Sequence, residues 1–270
     1  MDLKPLFRKH PLTIYIGLDL AWSPHNRSGA AVIEAGSETE QMGGTLVDVA
    51  LLSRDDEILA YIQKHQGSQT WVAVDAPLRV PNLTGRRPAE AEISQAFRRF
   101  HAGAHPANRT LLMREGVVRG EALVAALAEL GIPYLTQFEP GSSGVVEVFP
   151  HPATVAIFGL DKILPYKARP RRDLATRQIA WGQYQNYLRG LNNGDPWLSG
   201  TDALLAQDVA QLKGNRLKAY EDQVDAVMCA YIALYAHRWG SQRCRVFGSF
   251  DQGSIYTPVP LNLRRDEYPT

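Results

Sequence analysis

Hydrophobic and polar positions change period along the chain, and those changes mark its elements. In residues 13–22 (TIYIGLDLAW), Ile14, Ile16, Leu18 and Leu20 alternate with Tyr15, Gly17 and Asp19, the period of a β-strand. A polar turn over residues 23–27 leads into SGAAVIEA, which predicts a second strand returning as a hairpin. Residues 44–52 (GTLVDVALL) predict a third. Ser53 with Asp56 reads as a variant capping box that opens a helix over RDDEILAYIQKHQ, with Gly67 as its stop. The run TWVAVDAPL then stops at Asp75-Ala76-Pro77. Proline cannot continue a hydrogen-bonded ladder, so Asp75 is predicted at the C-terminal end of a fourth strand.

Pro88 suits a first helical turn, and Ile93, Ala96, Phe97 and Phe100 follow at helical spacing. Residues 121–130 predict another helix, closed by Gly131. GVVEVF, residues 144–149, reads as a strand broken by Pro150 and Pro152. A basic stretch over residues 162–177 precedes a helix containing Tyr184, Tyr187, Leu188 and Leu191, and then a turn-rich NNGDPW loop. Residues 222–237 predict a helix that is apolar nearly all round, and CRVF and SIYTPVP are short strand-like pieces. No repeat, low-complexity tract or linker divides the chain. The expectation is one α/β domain over residues 1–270, with a core at about 13–238, a tail at 239–270 and a helical insertion between the last strand and the last helix.

Composition narrows the function. The 270 residues are 45% hydrophobic and 21% charged, with a formal net charge of +1, so any attraction to nucleic acid or anionic lipid comes from local patches. No apolar run reaches the ~20 residues of a membrane span, and the N-terminus lacks a signal-peptide pattern. Cys229 and Cys244 have neither CxxC nor zinc-finger spacing. Idle thiols of this kind are expected of a cytoplasmic protein. GxGxxG, the P-loop and GxSxG are all absent.

What remains is acids where acids cost energy. Asp19 lies within an aliphatic strand, Asp75 ends another, Glu147 interrupts a third, and Asp225 sits among Val224, Val227, Met228, Tyr231 and Ile232. A buried carboxylate requires a base, a hydrogen-bond donor or a metal. No Lys or Arg lies close to these strand acids in sequence. Strand ends of an α/β sheet converge on a crevice, and oxygen ligands gathered there suit Mg²⁺ or Mn²⁺.

The strings GLDLAW with SGAA, VAVDAPL, GRRPAEAE, EVFPHP, LPYK and DQVDAVMCAY, with GSIYTPVP in the tail, resemble the family called domain of unknown function 429, regarded as ribonuclease-H-fold nucleases. The resemblance implies a ribonuclease-H-like mixed sheet in order 3-2-1-4-5. Asp19 would lie on its central strand, Asp75 on the neighbouring strand and Asp225 on the last helix. It also implies a metal-dependent nuclease acting on nucleic acid through two ions. Asp19, Asp75 and Asp225 would be ligands, Glu147 a fourth ligand or base, and Lys167 a phosphate contact.

Other residues have plainer readings. Asp222 is expected to cap or start the last helix. Arg86, Arg87 and Glu90 either face the crevice or form a helix-start ion pair. His101 and His105 are separated by Gly103, which argues against a zinc-binding helix. His151 is either a proton shuttle or a core residue. Two rival functions stay open: an ATP-using phosphotransferase of related fold, and a catalytically idle binding module with an acid pocket.

Overall fold

The computed structural model describes residues 13–23, 25–35 and 42–264. Strands β1 (Thr13–Asp19), β2 (Ser28–Ala35) and β3 (Gly43–Leu52) form an antiparallel meander, and α1 (Asp55–His65) carries the chain to β4 (Gln69–Val74). Helices α2 (Pro88–Ala96), α3 (Arg109–Leu112) and α4 (Arg119–Glu129) lead to β5 (Gly144–Glu147). Then come α5 (Pro150–Phe158), α6 (Leu174–Gly190), β6 (Trp197–Ser199), α7 (Asp202–Leu205) and the long α8 (Gly214–Arg243). A hairpin of β7 (Cys244–Ser249) and β8 (Gly253–Pro258) follows.

The main sheet runs β5-β4-β1-β2-β3-β6, with β4 parallel to β1 and β5 parallel to β4. The expected order 3-2-1-4-5 is present, and the six-stranded mixed sheet flanked by helices is consistent with a ribonuclease-H-like fold. One strand was not expected. The insertion before α8 is not wholly helical, because residues 197–199 pair in parallel with β3 and extend the sheet. Three residues are too few to show a period, so this strand exists only through the edge it joins.

β1 is buried on both faces. Ile14, Ile16 and Leu18 pack with Ile58 and Ile62 of α1 and Leu123 and Leu127 of α4, while Tyr15 faces α8 with Trp71. Tyr15, read from sequence as the polar side of the alternation, is fully buried, and its hydroxyl meets His237 Nδ1 at 2.7 Å. Glycine lets α8 lie directly on the sheet: a Cβ on Gly17 would fall 2.0 Å from the Ala226 carbonyl oxygen, and one on Gly29 1.9 Å from that of Asp222. Two approaches at backbone distance fix where α8 crosses β1 and β2.

Helix ends follow local chemistry, with small shifts. The α1 cap partner is Glu57, not Asp56: its Oε2 accepts the Ser53 N–H at 2.8 Å. α8 begins eight residues before the expected start; in its first two turns only Leu217 and Tyr220 are buried, so no apolar run marks them in the sequence. Asp222 is therefore inside the helix, and its expected capping role is corrected. No helix among the described residues is long and apolar enough to cross a membrane.

Candidate active site

The register brings three strand ends together. Leu18 pairs with Val74 and Val74 with Glu147, and the Asp75 N–H donates to the Leu18 carbonyl at 2.8 Å. Asp19, Asp75 and Glu147 thus leave the sheet at the same C-terminal edge. α8 crosses β1 at Gly17, so Asp225, one residue before Ala226, arrives at that edge too.

The cation that meets Asp225 is Lys167. Its Nζ lies 2.6 Å from Asp225 Oδ2, and the Tyr166 hydroxyl donates to Asp225 Oδ1 at 2.7 Å. Asp225 is fully buried, while the Lys167 side chain is 23% exposed. Burial alone would lower the Lys167 pKa, but the charges of Asp225, Asp19 and Asp75 outweigh it and hold the ammonium well above its ordinary value. Burial raises the Asp19 carboxyl well above its ordinary value; Asp225, Asp75 and Asp222 add to the rise and Lys167 opposes it. Burial likewise pushes Asp75 up to about 7, against the pull of Lys167 and with the repulsion of Asp225 and Glu147. Three aspartates from β1, β4 and α8 thus share one field.

Glu147 is held differently. Arg87, 1% exposed, spans Glu147 and Glu90: its Nη1 donates to Glu147 Oε2 at 2.8 Å, its Nη2 to Glu147 Oε1, and its Nε to Glu90 Oε1 at 2.7 Å. The Leu78 N–H also donates to Glu147 Oε2, at 3.0 Å. Both oxygens have donors, so the expected role of Glu147 as metal ligand or base is corrected to that of an ion-pair anchor. β5 is the edge strand, yet Glu147 is buried because Arg87 covers it. Arg87 and Glu90 form the expected helix-start ion pair, and both also border a hollow lined by Asp75.

The Lys167 ammonium is engaged by Asp225, so the phosphate contact expected of it requires that pair to open. Arg169 joins Lys167 at the hollow of about 310 Å³ over Asp19 and Asp75, which His101, His105 and His151 also border. The His151 ring stacks on Tyr166 with centroids 5.9 Å apart. Burial, reinforced by Lys167, Arg169, Arg172 and His105, holds its pKa well below the ordinary value. Asp222 pairs with Lys218. Tyr166 was not singled out from the sequence, whereas Arg169 lies in the basic stretch noted around Lys167. The adjacency of Tyr166 to Lys167 in LPYK was the one signal pointing to the former.

A family model described as "Protein of unknown function (DUF429)" matches residues 17–249. The chain belongs to this family. The matched span contains all five residues expected at the site: Asp19, Asp75, Glu147, Lys167 and Asp225. No curated protein and no solved structure matches the chain.

The site's capacity for metal rests on its donors. Carboxylate oxygens are the ligands Mg²⁺ and Mn²⁺ prefer, and Lys167, paired with Asp225, lines the hollow with Asp19 and Asp75. Among the described residues, no three carboxylate, imidazole or thiol groups are drawn together as a ready ion cage. A dication entering here would have to displace Lys167 from Asp225.

Proposed function

We propose that this protein is a Mg²⁺- or Mn²⁺-dependent nuclease that hydrolyses phosphodiester bonds in nucleic acid. The observation that carries the reading is that Asp19 and Asp75, from two adjacent strand ends, line one hollow with Lys167, whose ammonium pairs with the buried Asp225 of the last helix. Asp19, Asp75 and Asp225 would hold the ions. A bound dication would lower the pKa of water and stabilise charge on the phosphoryl and leaving oxygens.

The chain's own groups have separate tasks. Lys167, once released from Asp225, stays at the hollow with Arg169 and meets a substrate phosphate. Tyr166 keeps Asp225 oriented through its hydroxyl. Asp75, without a dication, retains its proton up to about pH 7. His151, kept neutral by burial and by neighbouring cations, packs the wall and is uncharged at neutral pH. A cytoplasmic location is part of the proposal, supported by two buried free thiols, Cys229 and Cys244.

The test is hydrolysis of labelled nucleic acid by the full chain with Mn²⁺ or Mg²⁺, with chelator, and in Asp19→Asn, Asp75→Asn and Asp225→Asn. Turnover that needs the ion and each aspartate supports the reading. The Lys167–Asp225 pair also favours one alternative, a binding module whose acids are neutralised permanently by a lysine. No turnover and no Mn²⁺-induced rise in Tm would establish that alternative and end the nuclease proposal.

A further inference from the structure

Three hollows adjoin along the face that carries Asp19. The first, about 310 Å³, lies over Asp19 and Asp75 and is bordered by Lys167 and Arg169. The second, about 400 Å³, shares Asp19, Ala21 and Trp22 with the first and adds Arg27 and Lys218. The third, about 680 Å³, shares Arg27, Asn215 and Ala219 with the second and reaches Arg216. Shared walls make them one groove, with Asp19 inside it rather than at an end. The first two are each of the size of a small-ligand site, and the three together exceed that range.

The lining is specific as well as long. Arg27 and Arg169 are exposed, and neither side chain forms a hydrogen bond or ion pair with another described residue. They stand in different hollows, on either side of Asp19. Between them is Trp22, 47% exposed at the junction of the first and second hollows. An indole open to water at such a junction offers a stacking face for an unpaired base. The bases of a duplex are stacked on one another and have no such face free except at an end. With a net charge of only +1, attraction to a polyanion must come from local cations of this kind.

We propose that this groove binds a single strand of nucleic acid, with phosphates met by Arg169 on one side of Asp19 and by Arg27 on the other, and one base stacked on Trp22. The inference rests on the nuclease reading and narrows its substrate to a polymeric single strand, excluding a small phosphodiester or a duplex.

The experiment measures fluorescence anisotropy of fluorescein-labelled oligothymidylates and matched oligouridylates, from dinucleotide to dodecanucleotide, on the full chain carrying Asp19→Asn in Mg²⁺. The two sugar series tell DNA from RNA. Affinity rises with length, and a blunt duplex of the longest strand binds more weakly than the strand itself. Arg27→Ala and Arg169→Ala each flatten the slope of log K against log salt by about 0.7. Trp22→Ala weakens the long strand roughly five- to a hundredfold, and Trp22→Phe recovers most of that loss. A dinucleotide that binds as tightly as the dodecanucleotide, a duplex that matches the single strand, or unchanged salt slopes would overturn the proposal. Wild-type turnover separates this failure from that of the nuclease reading. Mn²⁺-dependent cleavage of bis(p-nitrophenyl) phosphate without length-dependent binding removes the groove and leaves the hydrolase. Length-dependent binding with no cleavage of any substrate leaves the groove and removes the nuclease.

Discussion

At the scale of single residues, the site is defined by a competition for one position. Lys167 neutralises Asp225 where a dication would bind, so its removal has two opposite effects. Lys167→Met leaves the aspartates unbalanced and lowers metal-free stability by about 1–3 kcal/mol, below the cost of breaking a fully buried pair because the carboxyls can take up protons. The same variant binds Mn²⁺ about tenfold more tightly, since no ammonium has to be displaced. Calorimetric titration and metal-free melts together check this, and a weaker or unchanged Mn²⁺ affinity would show that Lys167 is not in the ion's place. His151 gives a pH signature. Its folded-state pKa lies well below 6.5, so its contribution is present above 6.5 and is lost as pH falls below it. Wild-type Tm should therefore fall more steeply from pH 6.5 to 5 than that of His151→Phe, by a difference worth on the order of 1–2 kcal/mol for a partly exposed ring. Parallel Tm–pH curves would mean that the ring titrates normally.

At the scale of elements, the position of α8 on β1 places Asp225 beside Asp19. Gly17→Ala puts a methyl 2.0 Å from the Ala226 carbonyl oxygen and 2.3 Å from the Ala230 nitrogen, atoms that cannot rotate away. The expected cost is about 3 kcal/mol or more, with loss of the Mn²⁺-induced Tm shift, because the helix must lift and take Asp225 with it. A Gly17→Ala chain with wild-type stability and metal response would show that this contact does not set the site. The Arg87 cluster ties α2 to β5 in a similar way. Glu147→Gln weakens a buried ion pair and costs about 3 kcal/mol, yet it leaves the stabilisation by Mn²⁺ intact, because Glu147 is held by Arg87. Chemical denaturation with and without Mn²⁺ reads both quantities. A Mn²⁺ shift lost in Glu147→Gln would return Glu147 to the metal site.

At the scale of the whole molecule, ligand binding adds to folding stability by mass action. Mn²⁺ at about 100 times its Kd contributes about 2.7 kcal/mol, which for a chain of this length raises Tm by about 5 °C. A chelator should reverse the rise, and Asp225→Asn should abolish most of it. Those shifts are measurable without knowing the substrate.

The same three scales separate what was legible in the sequence from what was not. Strand and helix periods are local, and they located β1 to β5, the acids at their ends and the buried stretch of α8. Family resemblance added the sheet order and the placement of Asp19 on the central strand, Asp75 on its neighbour and Asp225 on the last helix. The start of α8 was missed because its first turns are solvated and show no apolar run, and β6 because three residues have no period. The ion pairs of Asp225 and Glu147 were not legible because no cation lies near Glu147, and Lys167 does not lie near Asp225, in sequence. Only the folded chain brings Lys167 to Asp225 and Arg87 to Glu147. Periodicity follows from the geometry of neighbouring residues, whereas the partner of a buried charge is whichever side chain the packed fold delivers within a few ångströms.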